Sequence, residues 1–399
     1  MEEIKKYVNE QEKILYDELN ELSLDIHSHP ELAWKEFHAH EVLTNFMEKH
    51  GFKVTRHAFG LETSFVAEFS NGEGANVGYC SEYDALPNLG HGCGHNLIAV
   101  SGVTAAIETK LILEKFNIKG TVRLYGTPAE EGEGGKLRMI ERNAFDDSDV
   151  MMMLHPGTID YTYPVYLALD TVQVEYFGRG CHGSIPYDGV NALDAICSAY
   201  TNIGLLRQYM KPTSRIHGVI TNGGTYPNII PDYTSGLFYV RAINRIELKE
   251  LATKVKNIFE AAALATGCTC KITMDKEMAD IQNNSFLTEA YREFMEAEGV
   301  TGIPDKETQQ KKSWGSTDMG NITYIKPSFH NIVNVGCEGH DIHTVAFREN
   351  AKTPEAFQKM IRAAKCMALV GVKVLTEPQF LKNAQEEFKQ LLESQKIDS

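Results

Sequence analysis

The chain has 399 residues, of which 43% are hydrophobic and 23% are charged, as is usual for a globular protein. Its formal net charge of −15 argues against nucleic acid or an anionic membrane as the main partner, because both would repel it. The length exceeds what one ordinary core holds, so we expect two domains, with three as the alternative. No run of the sequence approaches the ~20 apolar residues of a membrane span.

The N-terminal residues 1–22 are acidic and follow a helical pattern. They lack the basic start and apolar middle of a secretory signal, so we expect a cytoplasmic location. The eight cysteines show no short regular spacing, which predicts reduced core residues and not a disulfide framework. Cys268 and Cys270 alternate within a strand-like segment, so we expect two half-buried strand residues, with a metal clip as the alternative.

Strands and helices alternate in the first half of the chain. We predict strands over 76–80, 121–126 and 149–154, with a helix over 99–116. Short apolar strands separated by helices predict a mainly parallel sheet that is covered on both faces. Ligands bind beyond the carboxyl ends of such strands. Chemically versatile side chains follow each predicted strand, namely Asp84 after the first, Glu130 and Glu131 after the second, and His155 directly after the third.

From about Tyr166 onward the pattern changes to β-α-β-β-α-β, which predicts a ferredoxin-like sandwich. Its predicted strands are 166–179, 215–222, 233–242 and 269–274, and its predicted helices are 191–210 and 246–266. A helix over 285–298, a strand near 327–335 and a closing helix over 354–375 follow. We therefore predict an α/β catalytic domain of residues 1–165 and 278–399, interrupted by an inserted α+β lid and dimerisation domain of residues 166–277.

Several side chains are suited to binding a metal ion. Cys93 and His95 lie on a glycine-padded run, and Glu130 and Glu131 are adjacent carboxylates on another loop. Histidine, cysteine and carboxylate hold zinc-like ions in hydrolytic sites and leave positions open for water. Two ions that share a ligand would use this set economically, with the Cys93 thiolate as a candidate bridge and Glu130 moving protons. The candidate ligands are Cys93, His95, Glu131, His155 and His343.

Each candidate also has a plain structural interpretation. A buried cysteine such as Cys93 often serves only for packing, and His155 before a Pro-Gly pair can simply bond the backbone. Adjacent glutamates are usually solvated surface groups, although Glu130 and Glu131 follow an apolar strand. His340 competes with His343 as a ligand because it lies three residues earlier. The conjunction of these groups favours a metal centre.

The sequence resembles the M20 family of metallo-aminopeptidases and amidohydrolases, in the branch with aminobenzoyl-glutamate hydrolases, auxin-conjugate hydrolases and aminoacylase-like enzymes. The resemblance runs nearly end to end. Its motifs are His29-Pro30-Glu31-Leu32 with Glu36, Asp84-Ala85-Leu86-Pro87, Gly92-Cys93-Gly94-His95-Asn96, Pro128-Ala129-Glu130-Glu131-Gly132, Leu154-His155-Pro156-Gly157, His182-Gly183-Ser184-Ile185-Pro186, Pro227-Asn228-Ile229-Ile230-Pro231-Asp232, Gly315-Ser316-Thr317-Asp318 and His343 with Phe347.

The resemblance implies that the five candidate ligands hold two metal ions, that Glu130 is the general base and that Asp84 orients a ligand. It also implies a homodimer formed by the inserted domain, in which His182 of the partner subunit stabilises the oxyanion. Asn228, Arg241 and Ser316 would face the substrate, with Arg241 suited to a carboxylate. Without the resemblance, His182 reads as a loop histidine and Arg241 as a member of a surface ion pair.

One position departs from the pattern of this branch. Many relatives carry an aspartate two positions before the residue that matches Asp84, whereas this chain has Glu82. The charge is kept but the side chain is longer, so the ligand geometry at this position is open. The runs around Glu82 and Cys93 are most similar to the dipeptidase and aminobenzoyl-glutamate hydrolase members.

We therefore predict a cytoplasmic, homodimeric, binuclear amidohydrolase that cleaves a small N-acyl amino acid or an aminobenzoyl-glutamate-like conjugate. The alternative enzyme is a dipeptidase for unusual dipeptides, such as β-alanyl or Xaa-basic ones. The remote alternatives are a non-catalytic binding protein on the same scaffold and a thiol hydrolase with Cys93 as nucleophile. The metal is expected to be zinc or manganese, with cobalt or nickel as alternatives.

Overall fold

The computed structural model describes residues 1–275, 277–313 and 315–394. The strands in this part of the chain are β1 (Lys53–Arg56), β2 (Phe65–Ser70), β3 (Asn76–Ser81), β4 (Thr121–Gly126), β5 (Val150–Gly157), β6 (Ala168–Phe177), β7 (Cys181–His182), β8 (Arg215–Asn222), β9 (Ile229–Ile230), β10 (Tyr233–Ala242), β11 (Thr269–Met274) and β12 (Ser328–Asn334). The α-helices are α1 (Glu2–Ser28), α2 (Phe37–Lys49), α3 (His95–Lys115), α4 (Glu130–Glu133), α5 (Gly135–Ile140), α6 (Ala192–Leu206), α7 (Arg245–Thr266), α8 (Ser285–Ala297), α9 (Lys306–Gln309), α10 (Met319–Thr323), α11 (Val345–Asn350), α12 (Pro354–Thr376) and α13 (Pro378–Ser394).

The chain divides into two compact units. The first contains Met1–Val165, Ile281–Ser313 and the described residues from Thr317 onward, and the second contains Tyr166–Asp280 with Gly315 and Ser316. Each unit has its own sheet and its own hydrophobic core. We describe the two units separately.

The first unit is built on a six-stranded sheet in the order β1-β2-β4-β3-β5-β12. Strands β4, β3, β5 and β12 pair in parallel, which confirms the predicted mixed α/β fold with a mainly parallel sheet. Strand β2 pairs antiparallel with both β1 and β4. Strands β1 and β2 were not predicted from the sequence, because β1 has only four residues and neither strand is buried along its whole length.

The alternating side chains of β5 separate the two faces of this sheet. Met152 and Leu154 join the core that contains residues of α1, α3, α8 and α12. Met151 and Met153 face the other way, into a second cluster with residues of α5 and α10. Burial on both faces explains why these strands are almost wholly apolar.

Strand β5 is longer than predicted, and this corrects the position of His155. The predicted strand ends at residue 154, but parallel pairing with β12 continues through His155 to Gly157. His155 therefore lies inside the strand and not directly after it. His155 is two residues after Met153 and four after Met151, so its side chain lies on the same face of the sheet. The sheet therefore holds His155 in place, and not a loop.

Helix α3 is apolar on all sides. By length and composition it is the one helix in the described residues that meets the criteria for a membrane span, a feature that the sequence analysis did not recognise. However, 89% of its most apolar stretch is buried inside the protein. Its neighbours are α1, α12 and the strands β3, β4 and β5, so its composition is that of a core helix.

The second unit has a four-stranded antiparallel sheet in the order β11-β6-β10-β8. Helices α6 and α7 pack on it, and their apolar faces fill the core of this unit. Asn191 and Asn244 cap the two helices, since each side chain accepts a backbone hydrogen bond from the first turn. Strand order and helix placement are those of a ferredoxin-like sandwich.

The eight cysteines are all free thiols. Four are buried, namely Cys80, Cys93, Cys268 and Cys366, while Cys197 is exposed and the others are half-buried. Cys268 directs its sulfur at the carbonyl of Asn191, 3.6 Å away, and Cys270 lies in β11. No candidate metal group in the described part of the chain contains either residue of this pair.

Candidate metal centre

The candidate ligands converge at one edge of the sheet in the first unit. Glu82 and Asp84 follow β3, and Glu130 and Glu131 begin α4 shortly after β4. Because β3, β4 and β5 run in parallel, their carboxyl ends meet at the same edge, where His155 also lies.

Cys93, His95 and His155 form a buried group whose ligand atoms lie within 4.8 Å of one another. The Nδ1 of His155 donates a hydrogen bond to the Pro156 carbonyl over 2.7 Å, which leaves Nε2 unprotonated and 3.4 Å from Cys93 Sγ. Burial and the neighbouring Glu131 carboxylate raise the pKa of the Cys93 thiol. A thiolate here therefore calls for a cation beside it.

Gly94 explains how the loop brings Cys93 and His95 together. Its φ is +79°, a conformation that glycine adopts without steric cost. A Cβ at this position would lie 2.7 Å from Pro156 Cγ, so a larger residue would push the loop away from β5. Directly after it, α3 begins at His95.

Glu131 links this group to His343. Cys93, Glu131 and His343 form a second candidate metal group, and Glu131 Oε1 lies 3.4 Å from His343 Nε2 and 3.7 Å from His95 Nε2. The His343 backbone donates to the Gly92 carbonyl over 2.8 Å, which ties its loop to the loop that carries Cys93. His340, the competing candidate, belongs to no candidate metal group in the described residues.

Asp84 holds two of the candidate ligands in place. Its Oδ1 accepts a hydrogen bond from His95 Nδ1 over 3.1 Å, and its Oδ2 accepts one from the Glu131 backbone over 2.9 Å. Although burial alone would raise the pKa of Asp84, these contacts outweigh it and lower the pKa. The anionic carboxylate thus fixes the orientation of the His95 ring and leaves its Nε2 pointing at the other ligands.

Glu130 has the opposite electrostatic character to its neighbour. Burial raises the pKa of Glu130 well above its usual range, and the charges of Glu82 and Glu131 add to the effect. Hydrogen bonding to His343 and the nearby His95 lower the pKa of Glu131 despite its burial. One carboxylate is therefore built to remain charged while the adjacent one can carry a proton.

The turn before Glu130 depends on Glu36, whose role the sequence analysis left open. Ala129 has a φ of +60°, which is unusual for a residue with a side chain. The buried Glu36 carboxylate accepts hydrogen bonds from the Ala129 backbone over 2.9 Å and from Thr63 Oγ1 over 2.7 Å. Burial raises the pKa of Glu36 to about 7 despite these bonds.

A buried lysine, which the sequence analysis did not select, explains the position of Glu82. Lys136 Nζ donates to Glu82 Oε1 over 2.5 Å and to Asp318 Oδ1 over 2.6 Å, and its backbone donates to Asp318 Oδ2 over 2.8 Å. All three side chains are buried. This leaves Glu82 Oε2 3.6 Å from His95 Nε2, and Glu82, His95 and Glu130 form a third candidate metal group.

The arrangement suits divalent cations. His95 Nε2 and Glu82 Oε2 are buried, and neither atom has a hydrogen-bond partner among the described residues. Burying such atoms without a partner costs free energy, so two of them 3.6 Å apart imply a cation that binds both. The combination of thiolate, imidazole and carboxylate suits zinc and the neighbouring transition metals.

The other predicted site residues lie in the second unit. Ser184 donates its backbone N–H to Nδ1 of His182 over 3.2 Å, so the neutral ring carries its proton on Nε2. The Asn228 carbonyl accepts from the Gly183 backbone over 2.7 Å, next to the short β7–β9 pair. Arg241 Nη1 donates to Ser316 Oγ over 2.7 Å.

Comparisons with known proteins identify the family of the chain. Residues 79–369 match the model of the peptidase family M20/M25/M40. The chain is 41% identical to a Xaa-Arg dipeptidase from Mus musculus over 96% of its own length and 91% of the relative's. It is 26% identical to one component of the p-aminobenzoyl-glutamate hydrolase from Escherichia coli, over 99% of this chain and 97% of that one.

Solved structures show the same fold. An aminobenzoyl-glutamate utilization protein from Klebsiella pneumoniae superposes with a TM-score of 0.70 at 19% identity, covering 93% of this chain and 98% of that one. A dinuclear metal-binding peptidase from Bacillus subtilis superposes with a TM-score of 0.64 at 19% identity, covering 88% and 98%. The chain belongs to the M20/M25/M40 peptidase family and is a hydrolase of amides and peptides.

Proposed function

We propose that this protein uses two divalent metal ions to hydrolyse the amide that joins an acyl or aminoacyl group to a small amino acid. The observation that carries the proposal is the ligand set around Cys93, buried except at His343, in which the pKa of Glu130 is raised and that of Glu131 is lowered. Cys93, His95, Glu131, His155 and His343 would hold the ions, with zinc or manganese as our first choice and cobalt or nickel next. When bound, such ions polarise a carbonyl and lower the pKa of water.

Within this scheme Glu130 transfers the proton. Its raised pKa allows the carboxylate to accept a proton from water and later to release it to the departing amine. Asp84 keeps His95 and the Glu131 backbone fixed while this occurs. Lys136 offsets one of the two negative charges of Glu82 and Asp318, and the remaining charge contributes to the raised pKa of Glu130.

We further propose a homodimer in which His182 of the partner subunit stabilises the oxyanion. The Nε2–H of this ring is the kind of donor that an oxyanion requires. Strand β8 supports the dimer, since it is the edge of its sheet in the described structure and exposes apolar side chains such as Val219. A second copy of the chain, pairing through the same edge, would cover both the unpaired strand edge and the exposed apolar side chains.

Mixing two inactive variants tests this arrangement. His182→Ala lacks the oxyanion donor and Glu130→Gln lacks the base. In a mixed dimer with shared sites, one site combines an intact Glu130 with an intact His182 from the partner subunit, so activity returns after subunit exchange. If His182 served its own subunit, the mixture would stay inactive, and the shared site would be wrong.

Substrate binding is assigned to Asn228, Arg241 and Ser316. Arg241 has the planar guanidinium that recognises a carboxylate, and Ser316 Oγ holds it in position. The expected substrate therefore carries a free α-carboxylate on the amine side of the cleaved bond. N-acyl amino acids, aminobenzoyl-glutamate and dipeptides all share this group.

A dipeptidase is the second candidate, and the 41% identity to the mouse Xaa-Arg dipeptidase favours it. A panel of N-acetyl amino acids, aminobenzoyl-glutamate, β-alanyl dipeptides and Xaa-Arg dipeptides separates the two by kcat/KM. Preference for the acylated compounds supports the amidohydrolase, whereas preference for a free amino terminus supports the dipeptidase. Hydrolysis of none of them by metal-loaded protein would contradict both.

We place the reaction in the cytoplasm, without nucleic acid or membrane partners. The net charge of −15 supports the second part of this proposal, because nucleic acid and anionic membranes repel a negatively charged protein. Fractionation of cells that produce a tagged chain would test the location. Recovery of the protein in the membrane or secreted fraction would contradict it.

A further inference from the structure

A second group of metal-binding side chains lies where helix α1 meets helix α2, and we call it the corner cluster. It consists of Asp25, His29 and His38, whose ligand atoms lie within 4.8 Å of one another. His29 Nδ1 donates to the Asp25 carbonyl over 2.9 Å and is 3.1 Å from Asp25 Oδ1, so Nε2 is the His29 atom that remains available to an ion. His38 Nε2 is 3.0 Å from Asp25 Oδ2. The cluster shares no residue with the centre around Cys93.

The local fold holds these three side chains in place. Asp25 and His29 are four residues apart at the end of α1, a spacing that places side chains on one face of a helix. His38 lies in the first turn of α2. Both oxygens of Glu31 accept hydrogen bonds from the backbone of His38 and Ala39 over 3.0 Å, which fixes the start of α2 against the corner.

The chemistry of the corner cluster matches a borderline divalent ion. Two imidazoles and one carboxylate are a common ligand set for zinc and its neighbours, with further positions left to water. The side chains are accessible, with exposed fractions of 54% for His29, 36% for Asp25 and 34% for His38. The cluster also lies at the negative end of the α1 dipole, which favours a cation.

We propose that Asp25, His29 and His38 form a peripheral binding site for a Zn²⁺-like ion, separate from the buried centre. The ion fastens the end of α1 to the start of α2. The same corner contacts the catalytic edge of the sheet, because the Glu31 carbonyl accepts a hydrogen bond from the Ala85 backbone over 2.7 Å, next to Asp84. Occupancy of the corner cluster therefore stabilises the segment to which Ala85, the residue after Asp84, is hydrogen-bonded.

Counting bound zinc tests this proposal on the full chain. Protein stripped with chelator is dialysed against buffered Zn²⁺, and zinc per chain is measured by elemental analysis for the original sequence, Asp25→Asn and His38→Ala. We expect each variant to bind one ion fewer than the original chain. His50→Ala is the matched control, since His50 pairs with the single carboxylate Glu18 at 3.1 Å and should leave the count unchanged.

The comparison is independent of the buried centre. If the original chain binds three ions and each variant binds two, the buried centre and the corner cluster both bind zinc. If the original chain binds one ion and each variant binds none, only the corner cluster binds zinc. Equal counts for the original chain and the two variants would overturn the proposal. Both variants change accessible side chains, so their circular dichroism in chelator should show the same helix content as the original chain. Asp25→Asn also keeps the shape of the side chain, so it remains a valid test even if His38→Ala folds poorly.

Discussion

The centre around Cys93 and the corner cluster both combine histidine with carboxylate, but they differ in what surrounds the ligands. At the buried centre Asp84 orients His95, the Pro156 carbonyl orients His155 and Lys136 holds Glu82. At the corner cluster the ligands are accessible and lean mostly on one another. His343 is the exception at the buried centre, with half of its side chain exposed. The difference therefore teaches that orienting partners around mostly buried ligands, and not ligand type alone, separate a site built for chemistry from one suited to structural binding.

The largest expected effect comes from Glu130→Gln at the buried centre. The amide cannot accept a proton, so kcat should fall by about 10²–10⁴-fold while the metal content stays the same. Steady-state kinetics and elemental analysis measure the two quantities. Glu141→Gln, which changes an exposed carboxylate farther along the chain, serves as the control and should retain full activity. Near-normal turnover in Glu130→Gln would remove Glu130 from the role of base.

The second effect in size concerns the buried ion triad. Lys136→Met leaves the carboxylates of Glu82 and Asp318 without their shared cation, so the free energy of unfolding should fall by about 3–5 kcal/mol. Urea unfolding of the metal-free protein measures it. Lys256→Met, which removes the exposed i,i+4 partner of Glu260, should cost about 1 kcal/mol or less. Equal losses of unfolding free energy in the two variants would show that the buried triad stabilises the fold no more than an exposed ion pair does.

A smaller effect is expected for Asp84→Asn. The amide keeps the shape of the side chain but binds His95 less strongly, so metal affinity should fall by about 10–100-fold. Competition with a chromogenic chelator measures the affinity. Unchanged affinity, even with reduced turnover, would mean that Asp84 contributes to the reaction without orienting the metal ligands.

The smallest effect is expected at the corner cluster in the absence of metal. His38→Ala removes a half-exposed pair with Asp25, so the unfolding free energy of chelator-treated protein should change by about 1 kcal/mol or less. The same urea titration as for Lys136→Met measures it. A loss as large as that of Lys136→Met would contradict the contrast between the two regions.

Much of the fold was predictable from local patterns. Strands β4, β8, β10 and β11 match their predicted ranges residue for residue, because each is bounded by clear turn signals and has a strong apolar or alternating pattern. Strand β5 is longer than predicted. The prediction stopped at residue 154 because Pro156 and Gly157 normally end strands, but pairing with β12 continues the strand through both residues. That pairing is a long-range contact, which a local pattern does not contain.

The site divides in the same way. Cys93, His95, Glu131 and His343 were predictable as candidate ligands because they occur in recognisable motifs, and the structure brings them close together. Lys136 was not selected, because a lone lysine after glycines has the pattern of a surface residue. Its burial depends on pairing with Asp318, which lies 182 positions later in the sequence. His38 was missed for a similar reason, since only the turn between α1 and α2 brings it to Asp25.

The most direct test of the central claim is X-ray absorption spectroscopy of zinc-reconstituted protein. We expect two zinc ions at the buried centre, a zinc–sulfur distance of about 2.3 Å from Cys93 and a zinc–zinc distance of about 3.5–4 Å. Cys93→Ser should remove the sulfur signal. A spectrum without a sulfur ligand, or without a second metal at that distance, would contradict a binuclear centre bridged by Cys93.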